Sequence, residues 1–250
     1  MNRLLAIVLG VAIIVVSGVA YYFLRPPAAP SGEITAIPVA TGTIGAAESV
    51  TAASSTGATI FEIVRDESEA RFVIDEVLNG SPKTVIGTTG QVAGQIIFNP
   101  DDPGAARIGA VRINARTFTT DSDQRNRAIQ NSVLDTRAYK YITFAPTQLE
   151  GLPERASIGE AYIFQIVGDL TIRDVTREAT FEVSVTPAAG DRLRGTATTT
   201  IKRADWNINI PQPPFVASVS ERSAWSSTSW RSHRKTTTLG VRTPVASRII

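Results

Sequence analysis

Cysteine is absent from the 250 residues of this chain. That excludes a disulfide, a thiolate metal site and a cysteine nucleophile. A domain large enough to build its own core needs no disulfide, so the absence does not fix the compartment. Histidine occurs once, as His233, close to the C-terminus. Everything before it is therefore without a histidine-based zinc or haem site and without Ser-His-Asp chemistry. Net charge is only +2, so nothing electrostatic points to nucleic acid. Acid is missing from one stretch: after Glu221 there are Arg and Lys but no Asp or Glu.

Long hydrophobic runs are also scarce, with one exception. Leu4–Leu24 is almost wholly apolar, and about 20 such residues at about 1.5 Å each cross a hydrocarbon core of about 30 Å. Tyr21 and Tyr22 stand where an interfacial aromatic belt would lie, and Arg25 with Pro26-Pro27 ends the run. Two readings follow. One is an uncleaved transmembrane anchor over residues 1–25. The other is a signal peptide with Arg3 as n-region, Leu4–Val16 as h-region and Gly18-Val19-Ala20 as cleavage site. Both send the rest of the chain out of the cytoplasm, membrane-anchored in the first case, secreted or periplasmic in the second. Residues 26–58 are rich in Pro, Ala, Ser, Thr and Gly and read as a flexible tether.

Residues 59–220 carry strand patterning. Thr59–Arg65, Ala70–Val77, Gly94–Phe98, Ile108–Phe118, Lys140–Phe144 and Asp191–Ile201 are predicted strands. Asn79-Gly80 is a hairpin signal, and Asn99–Gly104 is dense in turn formers. Thr119–Thr136 changes character, and a short amphipathic helix is expected over Asp123–Leu134, with Ile129, Val133 and Leu134 on its packed face. The best-specified local unit is Val167–Phe181, where two alternating runs flank an Arg173-Asp174 turn. Many short antiparallel strands with turn signals favour a barrel or a sandwich.

Several of these segments fall into an ordered set. They are the Val167–Phe181 hairpin, the Gly94-x-Ile96-x-Phe98 pattern, and a long motif of polar segment, helix and aromatic strand carried by Thr119, Asp121, Arg125, Leu134, Asp135, Tyr139, Ile142 and Phe144. Lys202-Arg203-Ala204-Asp205-Trp206-Asn207 completes it. In order and spacing the set resembles the YceI-like family of bacterial lipid-binding barrels. Departures are small: Asp174 and Asn207 stand where Gly is usual, and both residue types tolerate a left-handed backbone. The resemblance implies an all-β fold, an eight-stranded antiparallel lipocalin-like barrel with one short helix, here preceded by the N-terminal transmembrane helix. It also implies a polyisoprenoid or similar long-chain lipid as ligand, held in an apolar cavity for transport or sequestration. Candidate cavity residues are Phe72, Ile74, Ile96, Phe98, Val111, Ile113, Phe144, Phe164 and Ile166. The competing picture is a cell-surface β-module with a filled core that binds a partner.

No cofactor and no metal are expected, and an enzyme would have to rely on carboxylates. Asp75 and Glu76 are adjacent on a strand and point to opposite faces, so they cannot share a site. Asp101-Asp102 lies in a turn, and Asp121 and Asp123 suit helix capping better than cation binding. Relatives that carry His at the position of Glu76 mark one further departure. Binding without catalysis is the expectation.

Residues 221–250 break the pattern. The resemblance calls for one more strand to close the barrel, whereas the chain gives a run without alternation and without acid after Glu221. A reading-frame shift accounts for this. With synonymous codons chosen for the purpose, Glu221–Ser232 read two bases later becomes Glu-Val-Arg-Leu-Glu-Leu-Asp-Phe-Val-Ala-Glu, a period-two strand. The expectation is a barrel lacking its closing strand, with two unpaired edges and Ser223–Ile250 poorly ordered.

Overall fold

A computed structural model describes residues 21, 25–39, 58–189, 192–212 and 216–234, the last eight of these as backbone only. Most of the proposed anchor, and residues 40–57 and 235–250, lie outside this set. Among the described residues no helix is long and apolar enough to cross a membrane.

The chain folds into a nearly closed antiparallel barrel with one short helix. Its strands are β1 (Thr59–Ile63), β2 (Glu69–Leu78), β3 (Ser81–Thr89), β4 (Val92–Ala93), β5 (Gln95–Phe98), β6 (Arg107–Ile108) and β7 (Val111–Asn114). The helix α1 (Asp123–Ala128) comes next. The remaining strands are β8 (Tyr141–Glu150), β9 (Tyr162–Ile172), β10 (Val175–Ala188), β11 (Arg192–Lys202), β12 (Val216–Val219) and β13 (Arg222–Arg234). Ten of them follow one another around the wall in the order β4-β7-β8-β9-β10-β11-β13-β1-β5-β6, with β2, β3 and β12 branching from it. The two ends of that path nearly meet through the chain itself, since Gly94 joins β4 to β5 and Gly109-Ala110 joins β6 to β7.

The count of ten replaces the expected eight because long strands are interrupted. The expected break at Asp66-Glu67 is a 3₁₀ turn, Arg65–Glu67, between β1 and β2, and adds nothing to the count. Ile108–Phe118, expected as a single strand, is broken at Gly109-Ala110 and ends in a 3₁₀ turn, Ala115–Thr117. Hairpin positions follow the sequence. Asn79 and Gly80 both have positive φ, and β9 and β10 pair from Ile172↔Val175 outward. At that turn it is Arg173 that has the left-handed φ of +59°, a role the sequence reading gave to Asp174. Asn207 takes its expected left-handed place, φ +52°.

The tail differs most from expectation. β13 is a strand through Arg234, paired with β11 on one side and with β2 and β1 on the other. The closing strand is therefore present, and the barrel does not carry the two open edges expected of it. Two inward positions suffice to seat its first half: Ser223 and Trp225 are buried while Arg222 and Ala224 are exposed. The register of β13 shifts at Gly195/Ala197 against β11 and at Ser227/Ser229 against β2.

The stretch read as a free tether also differs. Over residues 25–39 it lies on the barrel. Asn131 Nδ2 donates to the Arg25 carbonyl at 2.9 Å, and the Arg137 guanidinium donates to the Pro26 carbonyl at 2.7 Å. Ile34 is buried, and the Val39 N–H donates to Gln95 Oε1 at 3.3 Å.

Candidate functional site

One end of the barrel is solid. Ser122 caps α1, its hydroxyl accepting from the Arg125 N–H. A π-helical turn, Ile129–Val133, continues the helix and buries Ile129 and Val133, followed by Leu134. These residues pack with Phe72, Phe118, Ile142, Ile172, Trp206 and Ile208 in one cluster. Glu76, on the same strand face as Phe72 and Ile74, is tied to Arg125 by a 2.8 Å ion pair that is largely withdrawn from water. This pair fastens the helix to the barrel. It gives Glu76 an architectural role in place of a ligand contact. Arg125 also binds Asp121, which accepts from Lys83 Nζ at 2.8 Å. The hydrogen bond from Lys83 is the chief reason the Asp121 carboxyl lies below the usual carboxylate range; burial opposes it, and the charges of Arg125 and Lys83 add to the lowering.

The Arg203–Trp206 turn closes the same end. Arg203 donates to the carbonyls of Ser220 (2.7 Å), Val219 (3.3 Å) and Ile208 (3.4 Å). Burial lowers its pKa, and the charge of Glu221 opposes that shift. Trp206 Nε1 donates to the Leu170 carbonyl at 3.0 Å. These residues of the Lys202–Asn207 segment thus bind backbone rather than a ligand.

The other end is hollow. An apolar cavity of about 160 Å³ lies within the wall. Seven of the nine candidate residues line it: Ile96, Phe98, Val111, Ile113, Phe144, Phe164 and Ile166. Phe72 and Ile74 do not; Phe72 is buried, and Ile74 packs against the cluster that contains it. The alternation of each strand explains the lining, since residues two apart share a face. Gly94 lets two lining side chains pack close to the backbone: a Cβ there would stand 3.0 Å from Ile63 Cδ1 and 3.3 Å from Val111 Cγ2.

Sequence reading missed further lining residues. Phe181, Val183 and Val185 follow one another at period two along β10 and were legible by the same rule. Leu152, Pro153 and Ala156 come from the loop between β8 and β9, where no periodicity exists to be read. That loop is clasped over the mouth, with the Ala156 N–H donating to the Pro100 carbonyl (2.9 Å) and the Gly159 N–H to the Pro187 carbonyl (2.8 Å). Trp225 lies in the run after Glu221 that has no strand alternation, so nothing local marks it as a wall residue.

Titratable chemistry is sparse around this space. Gln95 is satisfied on both sides, its Nε2 donating to Glu62 Oε1 at 2.7 Å and its Oε1 accepting from the Val39 N–H. Among the described residues no three His, Cys, Asp or Glu side chains gather as a metal site would need. What the arrangement offers is an apolar chamber bordered by the β8–β9 loop.

A family model for the YceI-like domain matches residues 61–223. The chain belongs to the YceI-like family. Among solved structures it is similar to BcnA of Burkholderia cenocepacia at 17% identity, with a TM-score of 0.53, covering 68% of this chain and 98% of that one. It is also similar to a polyisoprenoid binding domain from Saccharophagus degradans, implicated in plant cell wall breakdown. That match has 14% identity and a TM-score of 0.54, and covers 70% of this chain and 98% of the other. At such identities the likeness carries the fold. No curated protein is similar enough to this chain to count as a match.

Proposed function

We propose that this chain binds a polyisoprenoid or a similar long-chain lipid in the apolar half of its barrel, for transport or sequestration and without covalent chemistry. The observation that carries the reading is the lining: Ile96, Val111, Phe144, Phe164 and Phe181 surround a space left unfilled by side chains. Burying hydrocarbon there is favourable by about 0.8 kcal/mol per methylene. Family membership and the polyisoprenoid binding domain among the similar structures point to the same ligand class. Leu4–Leu24 supports a location outside the cytoplasm, with the barrel anchored to a membrane or released after cleavage.

Equilibrium dialysis against farnesol tests the binding. The chain is expected to bind saturably, and Val111→Asp, which sets a carboxylate on the half-buried cavity wall, is expected to weaken binding at least about tenfold with an unchanged circular dichroism spectrum. Equal binding by the two proteins would place the ligand elsewhere.

A further inference from the structure

The cavity stops partway down the barrel, and the residues that stop it are identifiable. Phe72 on β2 faces Gly87 on β3 directly across the ladder. Its ring occupies the space a side chain at Gly87 would take: a Cβ there would fall 2.2 Å from the ring. Phe118 stands 5.3 Å from the Phe72 ring centre, and Trp225 stands 5.7 Å from Phe72 and 6.2 Å from Phe118, edge to face with the latter. Trp225 is the member that faces the cavity. Its orientation is fixed by the Nε1 hydrogen bond to Ser223 Oγ, 3.1 Å. The three rings share one buried cluster with Ile129, Val133 and Leu134. Phe118 is fully buried, and cores packed at this density do not yield without loss of contacts.

We infer that Phe72, Phe118 and Trp225 form a floor that sets how much of a lipid chain the barrel encloses. This rests on the lipid-binding reading above and adds a limit to it. The cavity of about 160 Å³ is close to the engineered apolar cavity of about 150 Å³ that takes one benzene ring. The enclosed part of the ligand is therefore on the order of ten carbons or fewer, about two isoprene units. A longer chain keeps its remainder at the mouth, among Leu152, Pro153 and Ala156. Specificity is for a short apolar end rather than for the whole length of a polyprenyl chain.

A series of 1-alkanols from about six to about sixteen carbons tests this, since each methylene enclosed tightens binding about fourfold. Dialysis against the full chain is expected to show that steep gain up to about ten carbons and a flat response beyond. Phe72→Ala is expected to move the break about three to five carbons further, by opening the space over Gly87. Phe72→Leu, which is gentler on the core, is expected to move it less in the same direction. A steep gain through the longest alkanol in the unmodified chain overturns the floor, whether or not the variants fold. So does a break that stays in place in a folded Phe72 variant. No saturable binding at any length overturns the lipid reading itself, and the floor with it.

Discussion

Asp121 accepts hydrogen bonds from Lys83 and Arg125 at the solid end of the barrel, and its carboxyl is held below its ordinary value. A carboxylate depressed in the folded state stabilises the fold above the unfolded pKa, and that contribution is lost as pH falls through the folded value. Asp121→Asn is therefore expected to melt below the unmodified chain at neutral pH. The difference should shrink on acidification below about pH 4, where the unfolded carboxyl takes up its proton. A gap that persists unchanged in acid would mean that the side chain acts through shape. Gly87 offers a second residue-scale test. Gly87→Ala drives a methyl into the Phe72 ring and is expected to cost about 1–3 kcal/mol by urea unfolding. Combined with Phe72→Leu the cost should fall well short of the sum of the two; strict additivity would show that the ring and the glycine are not coupled. Ile96, Val111 and Phe164 could be read from alternation alone. The partner of Glu76 could not, because Arg125 lies 49 residues away and meets it only when the helix docks.

At the scale of elements, hairpins and the helix were the most legible parts, because Asn79-Gly80 and the Ser122 cap act within a few residues. The break at Asp66-Glu67 was legible too, from two adjacent acidic residues between strand-like runs. The split between β6 and β7 was not, because it depends on how the wall closes rather than on local preference. β13 is the most instructive element. Its sequence lacks strand alternation, yet backbone pairing with β11, β2 and β1 supplies a closing strand. The shifted-frame sequence Glu-Val-Arg-Leu-Glu-Leu-Asp-Phe-Val-Ala-Glu, laid over residues 222–232, puts Val at Ser223 and Leu at Trp225. Those are the two inward positions among the side chains described in β13. A chain carrying that replacement is expected to melt higher by at least about 5 °C, the equivalent of a kcal/mol or two in a domain of this size. A lower melting point would count against the frame-shift account of the tail.

The whole molecule divides its barrel between two tasks. The end closed by α1, Trp206 and Arg203 is a packed core that holds the shape, and the segment of residues 25–39 braces the wall from outside. The opposite end trades packing for an apolar chamber under a clasped loop. Family membership was legible because the ordered motifs, from Gly94-x-Ile96-x-Phe98 to Arg203 and Trp206, are those that build the barrel. The extent of the chamber was not, since whether inward side chains fill a barrel depends on distances across it. The central claim is that this chamber carries a lipid, and native mass spectrometry of the full chain purified gently from bacteria tests it most directly. The account predicts a discrete added mass in the range of an isoprenoid or fatty lipid, lost on denaturation and depleted in Val111→Asp. A bare polypeptide mass through repeated preparations that preserve the fold would contradict it.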